Sequence, residues 1–228
     1  MKTGALSQQL TFDLQTRPLF GREDFFIASC NREAVKLAET FPYRFAGGLI
    51  YGEKGCGKTH LGHLFATTVL KQTGETTVFI DAADLSGQII QDIAEKSRWI
   101  VLENVGKGID EEAFFHLLNI CKNAGGFLLI TSLTPYRTWE LKLPDLISRL
   151  SALPSVGVGF PDDEVLRFVL VKLFADRQVR VSAEVIEYLL KRLERSFHAA
   201  QKAVAEADAL SLREKKEITV PLLGKLFR

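Results

Sequence analysis

The eight residues GEKGCGKT, at positions 52 to 59, limit what this chain can fold into more than any other segment. They follow the apolar run GLIY and open a helical pattern that extends from Lys58 to about Lys71. Between a strand and a helix, glycines allow backbone amides to surround phosphate oxygens, and the helix N-terminus adds a favourable dipole. An ordinary glycine-rich turn is the alternative, but the flanking strand and helix favour a phosphate-binding loop. The sequence therefore predicts a nucleotide site at Gly52, Glu53, Lys54, Gly55, Cys56, Gly57, Lys58, Thr59 and His60, with Thr59 as a magnesium ligand.

The rest of the sequence alternates apolar, strand-like segments with helical ones. The strand-like segments are GLIYG, TTVFIDA, RWIVLEN, GFLLITS and SVGVGF. They are apolar throughout, as expected for parallel strands whose two faces are both covered by helices. After Pro161 only helical patterns follow. We predict an α/β fold with a five-stranded parallel sheet flanked by helices at 21–160 and a small all-helical lid domain at 161–228, preceded by an N-terminal arm at 1–20.

The composition limits which kinds of partner, metal site and cellular compartment are expected for this chain. Twenty-nine basic and 28 acidic residues give a net charge of +1, so no overall field attracts the chain to nucleic acid or to an acidic membrane. Three cysteines without paired spacing predict neither a disulfide framework nor a zinc site, which suits a reducing cytoplasm. His60 and His63 have helical spacing but no visible third ligand, so no structural metal is expected. No apolar run reaches membrane-spanning length, and we expect a cytoplasmic protein.

The strand RWIVLEN ends in an unusual pair for a nucleotide hydrolase. In such enzymes an apolar strand ends in an Asp that positions magnesium, often followed by an acid that orients water. Here Glu103 stands at the magnesium position and is followed by Asn104, whose amide is a poor proton acceptor. If Glu103 is instead the acid that orients water, Leu102 has replaced the magnesium ligand. An ordinary carboxylate at a strand end is a third option. The hydrolytic pair is incomplete in either alignment, which predicts binding with weak or no intrinsic ATPase activity.

With these features in place, the chain resembles the AAA+ family and, within it, DnaA and the short DnaA-related regulators of the Hda family. The resemblance covers about Glu23 to Arg228 and includes DFFIASCNREAVKLAE before the phosphate loop and LPDLISRL, which is similar to box VII of DnaA. It implies ADP or ATP with Mg²⁺ as cofactors, Phe26 and Ile27 as nucleotide-binding residues, and Glu103 as a second magnesium ligand. His198 stands at the lid position where relatives usually have a sensing Arg, and Arg195, one turn earlier, is an alternative for that role.

The resemblance also implies roles for two further positions, Leu133 and Arg149. Leu133 stands where DnaA relatives commonly have Asp, so a second part of the hydrolytic set is altered. Arg149, in the box VII segment, matches the arginine finger that such proteins insert into the nucleotide site of a neighbouring subunit. A solvated arginine at a helix end is the alternative. The predicted catalytic contribution is therefore Arg149 acting in trans.

The arm contains the segment QLTFDL, residues 9 to 14. Its alternation of polar and apolar residues is also that of an edge strand. It resembles the peptides with which Hda and other replication proteins bind the sliding clamp, the beta subunit of DNA polymerase III. An extended peptide would place Leu10, Phe12 and Leu14 in apolar pockets and let Gln9 form hydrogen bonds. The resemblance implies clamp binding through these four residues.

Taken together, the resemblance implies a negative regulator of replication initiation that docks on the clamp and stimulates hydrolysis of DnaA-bound ATP. Its partners would be DnaA and the clamp, with DNA contacted only through the clamp, no membrane contact, and self-association left open. An autonomous AAA+ ATPase, such as a helicase-loader-type or DnaA-like factor, would need intact acids at the end of the Trp99 strand. An origin-binding module would need a basic face or a helix-turn-helix motif.

Overall fold

The sheet has five parallel strands in the order β2-β3-β4-β1-β5. A computed structural model describes residues 26–227, without the side chains of residues 91, 94 and 95. The strands are β1 Gly47–Tyr51, β2 Val78–Asp81, β3 Trp99–Val105, β4 Phe127–Ser132 and β5 Ser155–Gly157. Both the predicted number of strands and their parallel pairing are confirmed. The last strand is shorter than the predicted SVGVGF, because only three of its residues pair with β1.

Helices cover both faces of this sheet. They are α1 Arg32–Glu39, α2 Lys58–Thr73, α3 Gly87–Lys96, α4 Glu111–Asn123 and α5 Pro144–Ser151. Successive residues of a strand point to opposite faces, and β3 illustrates the result. Val101 joins the core beneath α1 and α2, whereas Ile100 and Leu102 join the core beneath α3, α4 and α5. The three inner strands β1, β3 and β4 are largely buried, which explains their continuous apolar runs, whereas β2 and β5 at the edges of the sheet are less buried.

The lid follows the sheet and contains only helices within the described residues. Its helices are α6 Asp163–Asp176, α7 Ala183–Leu190, α8 Phe197–Glu214 and α9 Val220–Leu223. The carboxylate of Asp162 caps α6 by accepting from the backbone N–H of Val165 at 2.8 Å. The lid has its own apolar core, and Leu223 of the last helix is fully buried in it. Among residues 26–227, no helix is both long and apolar enough to cross a membrane.

Candidate nucleotide-binding site

The phosphate loop has the backbone shape that its glycines permit. Gly55 and Gly57 have φ angles of +84° and +103°, in the left-handed region that residues with a side chain rarely adopt. Directly after Gly57, the 16-residue helix α2 begins. Because the first N–H groups of a helix have no partner within it, this end attracts anions. Lys58 is folded over the loop, and its Nζ donates to the carbonyl oxygens of Gly52 at 2.7 Å and Glu53 at 2.9 Å.

The base of the loop is packed tightly against the end of β5. A Cβ atom on Gly52 would lie 2.4 Å from the carbonyl oxygen of Val158 and 2.9 Å from the sulfur of Cys56. Cys56 is buried beneath the loop, and burial raises the pKa of its thiol. Gly52 and Cys56 therefore shape the loop from below. The sequence predicted both as nucleotide-binding residues, but neither lines the cavity above the loop.

A cavity of about 800 Å³ lies between the phosphate loop, the carboxyl ends of β3 and β4, and the lid. The predicted residues that line it are Phe26, Lys54, Gly55, Gly57, Lys58, Thr59, His60 and His198. The lid closes one side through the start of α8. A Cβ on Gly55 would lie 3.4 Å from the Cβ of Ser196 and 3.6 Å from that of His198. Of the other predicted residues, Glu53 and Ile27 are exposed and do not line the cavity.

Several lining residues were not predicted from the sequence. They are Asn31, Asn104, Val105, Gly106, Lys107, Thr131, Ser132, Leu133, Thr134, Val169, Lys172, Leu173, Asp176, Phe197 and Gln201, of which Asn104 and Leu133 had been singled out only as departures from hydrolases. Val169 and Leu173 belong to the buried residues of α6, where they look like ordinary core positions. No local sequence pattern shows which part of α6 reaches the cavity, because the position of α6 depends on how the lid packs on the sheet domain.

The end of β3 separates Glu103 from Asn104. Glu103 follows Val101 on the face covered by α2, and its carboxylate acts electrostatically on His63 of that helix. Partial burial lowers the pKa of His63, and Glu103 opposes this shift. Asn104 lies in a β-bulge at φ +60° and lines the cavity. Its Nδ2 donates to the Asp81 carboxylate at 2.6 Å, so the amide nitrogen is engaged at the end of β2.

Leu133 and His198 both lie at the cavity, whereas Arg195 does not. Leu133 follows β4, is 56% exposed and lines the cavity. His198, in the first turn of α8, also lines it. The side chain of Arg195 forms an ion pair with Asp163 at 3.0 Å and is not among the lining residues. Of the two candidates for the lid sensing role, His198 is thus the one that reaches the cavity.

Arg149 lies on α5, outside the wall of this cavity. It is partly buried, and its guanidinium lies over the ring of Phe115, 4.9 Å from the ring centroid. The start of α5 is fixed by the carboxylate of Glu111, which accepts from the backbone N–H groups of Lys142 and Leu143 at 2.7 to 3.0 Å. Buried Trp139 anchors the preceding segment. Arg149 is therefore held on a firm helix that does not face the chain's own site.

The predicted clamp-binding residues Gln9, Leu10, Phe12 and Leu14 lie outside the described residues.

Comparisons with known proteins agree with this architecture. The family described as "Hda, lid domain" matches residues 162–227. An uncharacterized protein of Haemophilus influenzae is 29% identical over 205 residues, which cover 87% of this chain and 86% of that protein. The chromosomal replication initiator protein DnaA of Flavobacterium psychrophilum is 27% identical over 191 residues, covering 76% of this chain and 40% of the initiator. The chain thus spans about half or less of the length of the DnaA relatives it matches.

Solved structures show the same fold. Domain III of the DnaA protein from Thermotoga maritima superposes with a TM-score of 0.79 at 19% identity, covering 92% of this chain and 98% of that domain. AMPPCP-bound DnaA from Aquifex aeolicus superposes with a TM-score of 0.71 at 19% identity, covering 87% of this chain and 69% of that one. The strand order, the phosphate loop and the lid define a DnaA-related AAA+ protein. Within that class, residues 162–227 match the lid domain of the Hda family, and the predicted resemblance is confirmed.

Proposed function

We propose that the chain binds ADP or ATP in the cavity between the phosphate loop and the lid. The observation that carries this proposal is the cavity itself, which brings Lys58, Thr59 and the N-terminus of α2 to one end. The apolar side chains of Phe26, Val169 and Leu173 give the cavity an apolar lining suited to a planar base. Two DnaA structures of the same fold contain AMPPCP, an adenine nucleotide analogue, which supports the choice of nucleotide.

The residues around the phosphate end suit magnesium with little hydrolysis. Thr59 lines the cavity and would offer its hydroxyl, an oxygen ligand that suits Mg²⁺, which would neutralise phosphate charge when bound. Glu103, the predicted second magnesium ligand, is not among the lining residues, and its carboxylate acts on His63 of α2 instead. Asn104 occupies the position of the acid that orients water, and its amide is held by Asp81. Leu133 adds no polar group at the cavity. Because neither residue can accept a proton from water, we infer that the chain retains its nucleotide and hydrolyses it slowly.

We further propose that Arg149 acts on ATP bound to DnaA. Support comes from its place on α5, since the guanidinium does not line the chain's own cavity and the packing of Glu111 and Trp139 holds the helix that carries it. A guanidinium brought to a partner's nucleotide stabilises charge on the transferring phosphate oxygens and can raise the rate by several powers of ten. Hydrolysis of DnaA-bound ATP would make the chain a negative regulator of replication initiation.

Docking on the sliding clamp is proposed for the arm. Gln9, Leu10, Phe12 and Leu14 have the pattern of a clamp-binding peptide, and the match of residues 162–227 to the Hda lid domain supports that assignment. An arm bound to a clamp on DNA would concentrate Arg149 near DnaA without any direct DNA contact. This agrees with the net charge of +1, which gives the whole chain little attraction for nucleic acid.

The deciding experiment measures turnover of DnaA-bound ATP with and without this protein, clamp and DNA. Arg149→Ala should remove most of the stimulation, because the guanidinium stabilises charge in the transition state. It should leave clamp binding intact, because the arm is the proposed clamp-binding segment. Arg192→Ala is a matched control, since Arg192 also lies over an aromatic ring, that of Tyr188, but on the lid. Full stimulation by the Arg149 variant would refute the finger assignment. Rapid multiple-turnover hydrolysis by the purified chain without DnaA would favour an autonomous ATPase instead.

A further inference from the structure

We propose that Asn31 is a positioning residue for the nucleotide base. Its side chain fixes the backbone of residues 26–28, and through it the ring of Phe26, at the apolar part of the cavity. The inference rests on the proposed nucleotide binding and adds a residue that the sequence analysis did not single out, although it lies within the segment DFFIASCNREAVKLAE. We call residues 26–28 the strap.

Asn31 is a buried polar residue whose Oδ1 and Nδ2 each form a hydrogen bond with the backbone of the strap. Only 1% of the residue is exposed. Its Oδ1 accepts from the backbone N–H of Ala28 at 2.8 Å, and its Nδ2 donates to the carbonyl oxygen of Phe26 at 2.8 Å. The two hydrogen bonds hold both ends of the strap with one rigid group. Losing either partner would leave a buried polar atom unsatisfied, which is costly.

The direction of this side chain is unusual for its position. Asn31 immediately precedes α1, where asparagine commonly caps a helix by accepting from its first N–H groups. Here the side chain makes no such bond to α1 and turns back to the strap instead. The backbone assists, because the N–H groups of Asn31 and Arg32 both donate to the carbonyl oxygen of Ala28. The local structure therefore favours the strap over the helix cap.

The strap connects the cavity to the lid. Phe26 lines the cavity, and its ring stacks on that of Phe168 in α6, with centroids 6.3 Å apart and planes at 14°. Val169 and Leu173 of the same helix also line the cavity. Phosphate binding, in contrast, depends on the loop at 52–59 and the start of α2. Asn31 should therefore act on recognition of the base and leave recognition of phosphates unchanged.

The test compares ADP with inorganic tripolyphosphate, which has phosphates but no base, by isothermal titration calorimetry. Asn31→Ala and Asn31→Asp should each raise the Kd for ADP about tenfold and leave the Kd for tripolyphosphate unchanged. The aspartate keeps the acceptor for Ala28 but has no N–H to donate to Phe26. Asn123→Ala is the matched control, because Asn123 is exposed at the end of α4, just before β4 begins, does not line the cavity, and should change neither Kd.

Phe26→Ala provides a second route if the Asn31 variants fail to fold in a thermal unfolding measurement. It leaves Asn31 in place and should also weaken ADP alone. An equal loss for both ligands, or an unchanged Kd for ADP in folded variants, would overturn the role of Asn31. Failure of the unmodified chain to bind ADP would overturn the proposed nucleotide binding itself, so the two failures are distinguishable.

Discussion

The contact between Asn104 and Asp81 makes a quantitative prediction about the end of β3. The two side chains are joined by a hydrogen bond of 2.6 Å from Nδ2 to the carboxylate. Replacing Asn104 with Asp removes the donor and brings a second carboxylate to the first. The backbone should tolerate the change, because Asp, like Asn, adopts the left-handed conformation found here at φ +60° more readily than most residues.

Two terms determine the expected size of the effect. A hydrogen bond to a charged group contributes up to about 3 kcal/mol when it is shielded from water, and we expect about 1 kcal/mol at this exposed position. Two carboxylates about 4 Å apart repel each other by about 1 kcal/mol in a medium close to water. Asn104→Asp should therefore lower the free energy of unfolding by about 2 kcal/mol at pH 7.

The assay is urea unfolding followed by tryptophan fluorescence, with the reversed pair Asp81→Asn/Asn104→Asp as the companion variant. The reversed pair again has one amide and one carboxylate, so it should recover most of the loss of the single variant. The hydrogen bonds from Ala83 and then Asn104 lower the pKa of Asp81, so the native contribution is present above the carboxyl's ordinary pKa and is lost in acid. A stable Asn104→Asp protein, or a reversed pair no better than that single variant, would refute the reasoning.

Two further predictions concern Glu75 and the thiols. Hydrogen bonds chiefly from Arg98, and also from Trp99, lower the pKa of Glu75 below its ordinary 4.5, so their stabilisation is present above that pH and is lost as the pH falls. Glu75→Gln should lower the urea midpoint at pH 7 and make its decline below pH 4.5 shallower; parallel curves for the two proteins would contradict this. Burial raises the pKa of the Cys121 thiol to about 12, whereas Cys30 is partly exposed. At pH 8 a disulfide reagent should therefore label Cys30 first and Cys121 only after unfolding. Peptide mapping of the labelled protein would show this order.

The lid illustrates which features a local sequence pattern can predict and which it cannot. Its helices could be predicted from apolar spacing and from the acidic start at Asp162, because caps and amphipathic periods are properties of neighbouring residues. The same pattern could not show that Val169 and Leu173 also line the cavity. That role depends on the packing of α6 beside the sheet domain, which brings together residues more than 100 positions apart.

The sequence by itself determined the class of the fold and the location of phosphate binding. Strands that are covered on both faces, such as β1, β3 and β4, require apolar runs, and a loop around phosphate requires glycines beside a lysine. Both features are patterns of consecutive residues and can be recognised in the sequence. Only the tertiary structure decided how the ends of those strands are used. In the tertiary structure, the Asn104 amide donates to Asp81, and the Asn31 side chain is buried with its amide bonded to the strap. Arg149 lies outside the chain's own cavity. Each outcome depends on contacts between segments distant in sequence, which no local pattern encodes.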